Sequence, residues 1–314
     1  NQQNKKDSPN ENFAREILEL FTLGRGNYTE QDIRDSARAF TGWSFHPLTG
    51  EFVFRDRVHD TGIKSFKGKN GRFYGEDILD IILDDKQTAL FITEKIWQYF
   101  VSSDTRDKDI ISSLADTFFH SGYQLDILLG EVFSSDWFYD TRFTGNRIKS
   151  PVELIVSIVT QTGGEFRNPH ASLFIQRALR QVLLLPPNVG GWPIGTAWID
   201  SSSLMFRMSL PSLLLKNVDN DFEAKDDGDA NNAANAANTK KLAFSVDWDR
   251  LANLFVKNTS EESLETIEDF LLARPATTAN KSIIRLLTGR ALTDTEFVQK
   301  AFIGFMSLPE YQLS

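Results

Sequence analysis

The sequence predicts a mainly α, multi-helix globular domain with one small β or irregular excursion around residues 45–75. Three observations carry that prediction. Apolar residues recur at helical spacing through most of the chain. Alternating aromatics and closely spaced glycines interrupt that spacing early, between residues 45 and 75. The 314 residues are 41% hydrophobic and 25% charged, with 25 phenylalanines, enough to build a sizeable aromatic core.

The elements follow in order. Ser8-Pro9-Asn10-Glu11 fits a capping box that opens a helix, and Gly24 and Gly26 end it. On a helical projection Phe13, Ala14, Ile17, Leu18, Leu20 and Phe21 fall on one side. Glu11, Asn12, Arg15, Glu16 and Glu19 fall on the other. Thr29 starts a second helix closed by Gly42, so the first forty residues form an αα-hairpin. In the excursion, Glu51-Phe52-Val53-Phe54-Arg55 alternates as a short strand. Helical periodicity resumes at about 76–84, 86–101, 107–120, 124–134, 150–162 and 170–184. A Pro/Gly-rich loop occupies 185–199, and Asp200 or Ser201 caps a helix running to about 216.

Residues 217–241 are rich in Asn, Ala and Asp, lack a periodic apolar face, and read as an insertion or linker. A calcium loop is the alternative, but the alternating ligands, central Gly and terminal Glu it requires are missing. Four short helices at 246–257, 260–273, 279–289 and 293–307 complete the chain. Phe255, Phe270, Phe297, Phe302 and Phe305 need burial, so residues 242–314 are expected to pack back onto a main helical body spanning 1–216.

The most distinctive block runs from Asn10 through the Phe13-to-Gly24 helix and Tyr28-Thr29-Glu30-Gln31-Asp32 to Ala37-Arg38-Ala39-Phe40-Thr41-Gly42-Trp43. His59-Asp60-Thr61-Gly62-Ile63-Lys64, Arg147-Ile148-Lys149-Ser150-Pro151 and Pro186-Pro187-Asn188-Val189-Gly190-Gly191-Trp192-Pro193 follow, then Ala197-Trp198-Ile199-Asp200. In this order and spacing, the segments resemble domain-of-unknown-function family 1800, a family of exported bacterial proteins. The resemblance spans about residues 8–207, and Ser307 to Ser314 reads like the family's terminus. It implies an extracytoplasmic location (periplasmic, cell-surface or secreted) and no particular chemistry. Family members carry a helical, histidine-containing region before the first block. The chain is therefore expected to be the C-terminal portion of a longer protein, with that N-terminal portion as a partner.

Composition narrows the function classes. Cysteine is absent, so disulfides, thiolate metal sites and a Cys nucleophile are excluded. The net charge of −9 comes with no basic stripe, and nucleic acid is not expected as a partner. No run approaches the roughly 18 apolar residues of a membrane span. Nucleophile elbow, phosphate-loop and dinucleotide motifs are missing. His46, His59, His120 and His170 form no metal-binding spacing, so no metal ligand is assigned within the chain and no cofactor is named.

Two groups of residues remain as site candidates. Glu16, Glu19, Arg38, His59 and Asp60 are the acid–base candidates: two carboxylates, a guanidinium and a histidine could work as acid and base or bind a cation. The plainer reading pairs Glu11 with Arg15 and Arg15 with Glu19 as exposed ion pairs on one helix face, and makes His59 a structural hydrogen-bonding residue. Trp43, Lys64, Asn188, Trp192, Trp198 and Asp200 are the ligand-binding candidates. Their indoles could stack on a saccharide or simply anchor loops. The leading expectation is an exported bacterial binding or interaction protein in an extracytoplasmic assembly, with a saccharide or protein partner. The rival is a metal-assisted hydrolase acting on an extracellular polymer, its site completed by residues outside this chain.

Overall fold

The computed structural model describes residues 4–216 and 242–314. The Asn/Ala/Asp-rich stretch read as a linker, with its calcium alternative, lies outside the described residues. The fold is mainly α: 13 α-helices and 58% helical content, with only short antiparallel strand pairs among the described residues. The chain divides into two compact units, Asn1–Phe100 with Thr105–Phe138, and Val101–Asp104 with Tyr139–Ser314.

The first unit opens with α1 (Glu11–Glu16), which passes directly into a π-helical turn, Ile17–Thr22. Its cap is Asn10 rather than Ser8: the Phe13 N–H donates to Asn10 Oδ1 at 3.1 Å, while the Ser8 N–H is used in a turn to the Lys5 carbonyl. The π turn also corrects the helical projection. In it the Leu23 N–H reaches back five residues to the Leu18 carbonyl, so each side chain lags the α phase. Leu18 stays buried, but Phe21 swings out to 54% exposure. Gly24, at φ +79°, ends the segment; a Cβ there would lie 2.7 Å from the Phe91 ring.

Helix α2 (Glu30–Ala39) begins with a capping box between Thr29 and Asp32. Two hairpins fill the excursion: β1 (Trp43–Phe45) with β2 (Phe52–Phe54), then β3 (Lys64–Phe66) with β4 (Lys69–Gly71). Helices α3 (Gly75–Leu83), α4 (Lys86–Phe100), α5 (Lys108–His120) and α6 (Leu125–Ser134) follow. Ala14, Leu18, Ile33, Phe40, Phe66 and Ile78 meet in one core that joins the helical hairpin to β3 and α3.

The second unit contains α7 (Pro151–Thr162), α8 (Pro169–Ala178), α9 (Ser201–Leu215), α10 (Trp248–Phe255), α11 (Ser260–Leu271), α12 (Thr278–Thr288) and α13 (Asp294–Met306). Strands β5 (Glu165–Phe166) and β6 (Phe244–Ser245) pair between them. Leu154, Ile158 and Leu210 share one core with Phe255, Phe302 and Phe305, so the last four helices pack with α7 to α9. Phe270 joins them only at an edge and is 46% exposed: its ring meets Phe255 and Phe302, while Ile267 and Leu271 take the buried side of α11. Helix α8 stops at Ala178, six residues before the predicted end, where Arg180 and Leu184 take positive φ.

Candidate functional site

The first unit concentrates its polar chemistry around the Asp60 loop. Arg38, on α2, donates from Nε to Asp60 Oδ2 at 2.8 Å and from Nη1 to Asp35 Oδ1 at 2.7 Å. This guanidinium holds the Asp60 carboxyl below its usual range. At Asp35, burial pushes the carboxyl up, but donors from Gln31, the Ser65 N–H and Arg38 outweigh it and the net shift is down. Asp32 and Asp35 also accept the Lys67 and Ser65 backbone N–H groups at 2.8 Å each, which pins β3 to α2. The sequence reading missed both roles. The available signal was two acids three apart on the side of α2 that also carries Ile33 and Ser36.

His59 is 3% exposed and stacks on Tyr74 with ring centroids 4.3 Å apart. Its Nδ1 lies 2.8 Å from the Thr41 carbonyl, which can only accept, so Nδ1 carries the proton. Nε2 has no hydrogen-bond partner among the described residues. Lys64 is fully buried, its Nζ donating to the Asp60 and Gly62 carbonyls, and burial lowers its pKa. Arg38, His59, Asp60 and Lys64 are thus brought together. Glu16 and Glu19 do not join Arg38. Glu19 instead accepts from Tyr28 at 2.7 Å and pairs with Arg25, and those two contacts lower its pKa. Arg15, expected to pair along its own helix, reaches across to Glu30 at 3.0 Å.

A second feature of the same unit lies on the first hairpin. Asn4, Phe13, Trp43, Ser44, Phe45 and Phe52 line a cleft of about 120 Å3. Phe40 and Phe52 hold the Trp43 ring edge-on, with centroids at 5.0 and 5.4 Å. The close approach of Gly75 leaves no room for a Cβ beside the indole. Leu48 at the hairpin tip is 91% exposed, and Ile63 on the next loop is 70% exposed. Residues 45–75 hold six basic residues (Arg55, Arg57, Lys64, Lys67, Lys69, Arg72) against three acids (Glu51, Asp56, Asp60), within a chain of net charge −9. Arg55, Arg57 and Arg72 are exposed and form no ion pair among the described residues.

The remaining candidates belong to the second unit. Trp198 is buried and Trp192 half-buried, while Asn188 is exposed and accepts the Gly190 N–H at 2.8 Å. Asp200 is the N-cap of α9, in a capping box with Ser203 and an ion pair with Arg180 at 3.2 Å. This unit also buries two cations that the sequence reading did not single out. Arg207 is fully buried; its Nε donates to Gln312 Oε1 at 3.0 Å and its Nη2 to the Lys149 carbonyl. Lys149 Nζ donates to the Tyr311 carbonyl at 2.9 Å and sits 4.0 Å from the Tyr311 ring centroid. Burial pushes Lys149 down to about 8 and Arg207 down to about 10. Neither pairs with a carboxylate among the described residues. Glu153, whose charge acts on both, is paired with Arg147 at 2.6 Å.

Among the described residues, no three His, Cys, Asp or Glu side chains stand where they could share a metal, and no helix is long and apolar enough to cross a membrane. No curated protein and no solved structure matches the chain. The family whose sequence model matches is described as "Protein of unknown function (DUF1800)", and the match covers residues 1–313. With essentially its whole length inside that match, the chain belongs to the DUF1800 family.

Proposed function

We propose that this chain is an interaction protein of an extracytoplasmic bacterial assembly, and that the β1–β2 hairpin docks an acidic protein partner through one apolar side chain. The observation that carries the reading is the aromatic cleft on an excursion with three unpaired arginines. A cleft of about 120 Å3 suits a single leucine- or phenylalanine-sized anchor. It compares with the roughly 150 Å3 that accommodates one benzene ring. Aromatic residues and arginine are the usual energetic centre of protein interfaces. Exposed cations favour an acidic partner in a protein that is otherwise acidic. The extracytoplasmic location rests on the family resemblance.

The hydrolase alternative has less support. Arg38 is committed to Asp35 and Asp60, and Glu19 to Tyr28 and Arg25, so the acid–base group is already engaged in ion pairs. Trp43 retains its proposed ligand-binding role as a wall of the cleft. The buried Lys64 supports the Asp60 loop.

The test is fluorescence anisotropy with a labelled peptide carrying one leucine between glutamates. Binding is expected to weaken as salt rises and to vanish in the triple variant Arg55→Glu, Arg57→Glu, Arg72→Glu. A lysine-flanked peptide should not bind. Equal affinity for both peptides, or for neither, would sink the proposal. Recovery of the protein from the cytosolic fraction of its native host would remove the extracytoplasmic part.

A further inference from the structure

A groove of about 450 Å3 lies between the start of α11, the end of α12 and the start of α13, and every residue lining it belongs to the second unit. Its size falls within the range of small-molecule sites. The walls are held in place. Arg285 of α12 forms a two-point ion pair with Glu261 of α11. The Lys257 N–H donates to Ser263 Oγ at 2.9 Å, and the Leu292 N–H donates to Glu296 Oε2 at 2.7 Å.

Charge and hydrogen-bonding capacity identify the class of ligand. The charged lining residues cancel, Lys257 and Arg285 against Glu261 and Asp294, so an ion of either sign gains little. The groove instead has unused donors and acceptors. Asn258, Ser260 and Asp294 are exposed, and their side chains make no hydrogen bond among the described residues. An amide, a hydroxyl and a carboxylate together suit sugar hydroxyls, which both donate and accept. The half-buried Phe297, backed by the buried Leu264, adds an apolar strip on which the C–H face of a sugar ring can rest.

We propose that this groove binds a neutral, polyhydroxylated ligand: a short run of two or three pyranose-sized rings, since a cavity of roughly 150 Å3 accommodates one benzene ring. The site is independent of the hairpin cleft.

Calorimetric titration of the intact chain with maltotriose, cellotriose and N-acetylchitotriose tests it, with inorganic phosphate as the anionic control. At least one trisaccharide should bind and phosphate should not. The double variant Asn258→Ala, Asp294→Asn should weaken that binding roughly tenfold or more, because it removes an amide and a charged acceptor. Both positions are exposed, and circular dichroism of the variant should match wild type. The arginine triple variant of the hairpin should bind the sugar normally, so failure of one proposal is distinguishable from failure of the other. The proposal is overturned if none of the three sugars binds, if phosphate competes, or if the double variant binds as tightly as wild type.

Discussion

The Arg38 cluster of the first unit and the Lys149–Arg207 cluster of the second hold charge in opposite ways, although the first unit also buries Lys64 against the Asp60 and Gly62 carbonyls. The first surrounds Arg38 with two carboxylates, Asp35 and Asp60, and ties the same acids to backbone N–H groups of β3 and of the Asp60 loop. The second buries Lys149 and Arg207 against carbonyls, an amide and an aromatic ring, with the Glu153 carboxylate paired to Arg147. Removing one member of a matched set leaves an unpaired buried charge behind. Removing an unmatched charge relieves a desolvation cost. Arginine therefore plays a different energetic role in each cluster.

The largest expected effect tests that contrast directly. Arg38→Ala should destabilise the first unit by about 3 kcal/mol, because Asp35 and Asp60 lose their cation. Lys149→Met keeps most of the side-chain volume and should leave the second unit within about 1 kcal/mol of wild type, or stabilise it. Denaturant melts followed by hydrogen exchange read each unit separately. If Lys149→Met costs more than Arg38→Ala, the contrast is wrong.

The next effect is in pH. Lys149 titrates near 8 when folded, because burial disfavours its charged form, against about 10.4 in an unfolded chain. Between those values the unfolded chain holds more protons at this group, so the Lys149 contribution to stability should rise with pH, by roughly 3 kcal/mol at most, and level off above. Lys149→Met should abolish the rise. The Arg38 cluster of the first unit should respond at the other end of the scale. Asp35 and Asp60 are shifted down, so their stabilisation is complete above about pH 4. It is lost as pH falls through their folded values. A second unit that weakens between pH 8 and 10 would break the comparison.

The smallest effect belongs to Phe21, an aromatic that the π turn keeps out of the core. Phe21→Gln should change stability by no more than about 0.5 kcal/mol. A loss of 2 kcal/mol or more, of the size expected for a core aromatic, would show that the turn is α-helical in solution.

The legible parts of this protein were those governed by local chemistry. Capping at Thr29, the helix stop at Gly24, the alternation at Phe52–Phe54 and the cap at Asp200 each depend on a few neighbouring residues. The mainly α fold follows from their repetition, and the family from the order of its blocks. Of the candidate site, the His59-Asp60 loop could be found as a polar cluster, and Trp43 as an indole at a helix end. What could not be read was which charge would meet which. Arg38 is grouped with Glu16 and Glu19 among the acid–base candidates, yet of the carboxylates in that group it meets Asp60 alone, 22 residues along the chain. Lys149 meets Tyr311, 162 residues away. Helical periodicity says which side of a helix is wet or dry, but the partner of a buried ion depends on which elements fold against it. The phase slip of the π turn, the basic excursion that carries an aromatic cleft, and the groove at three helix ends were decided there too. Each depends on side chains brought together by packing, and no local spacing encodes that packing.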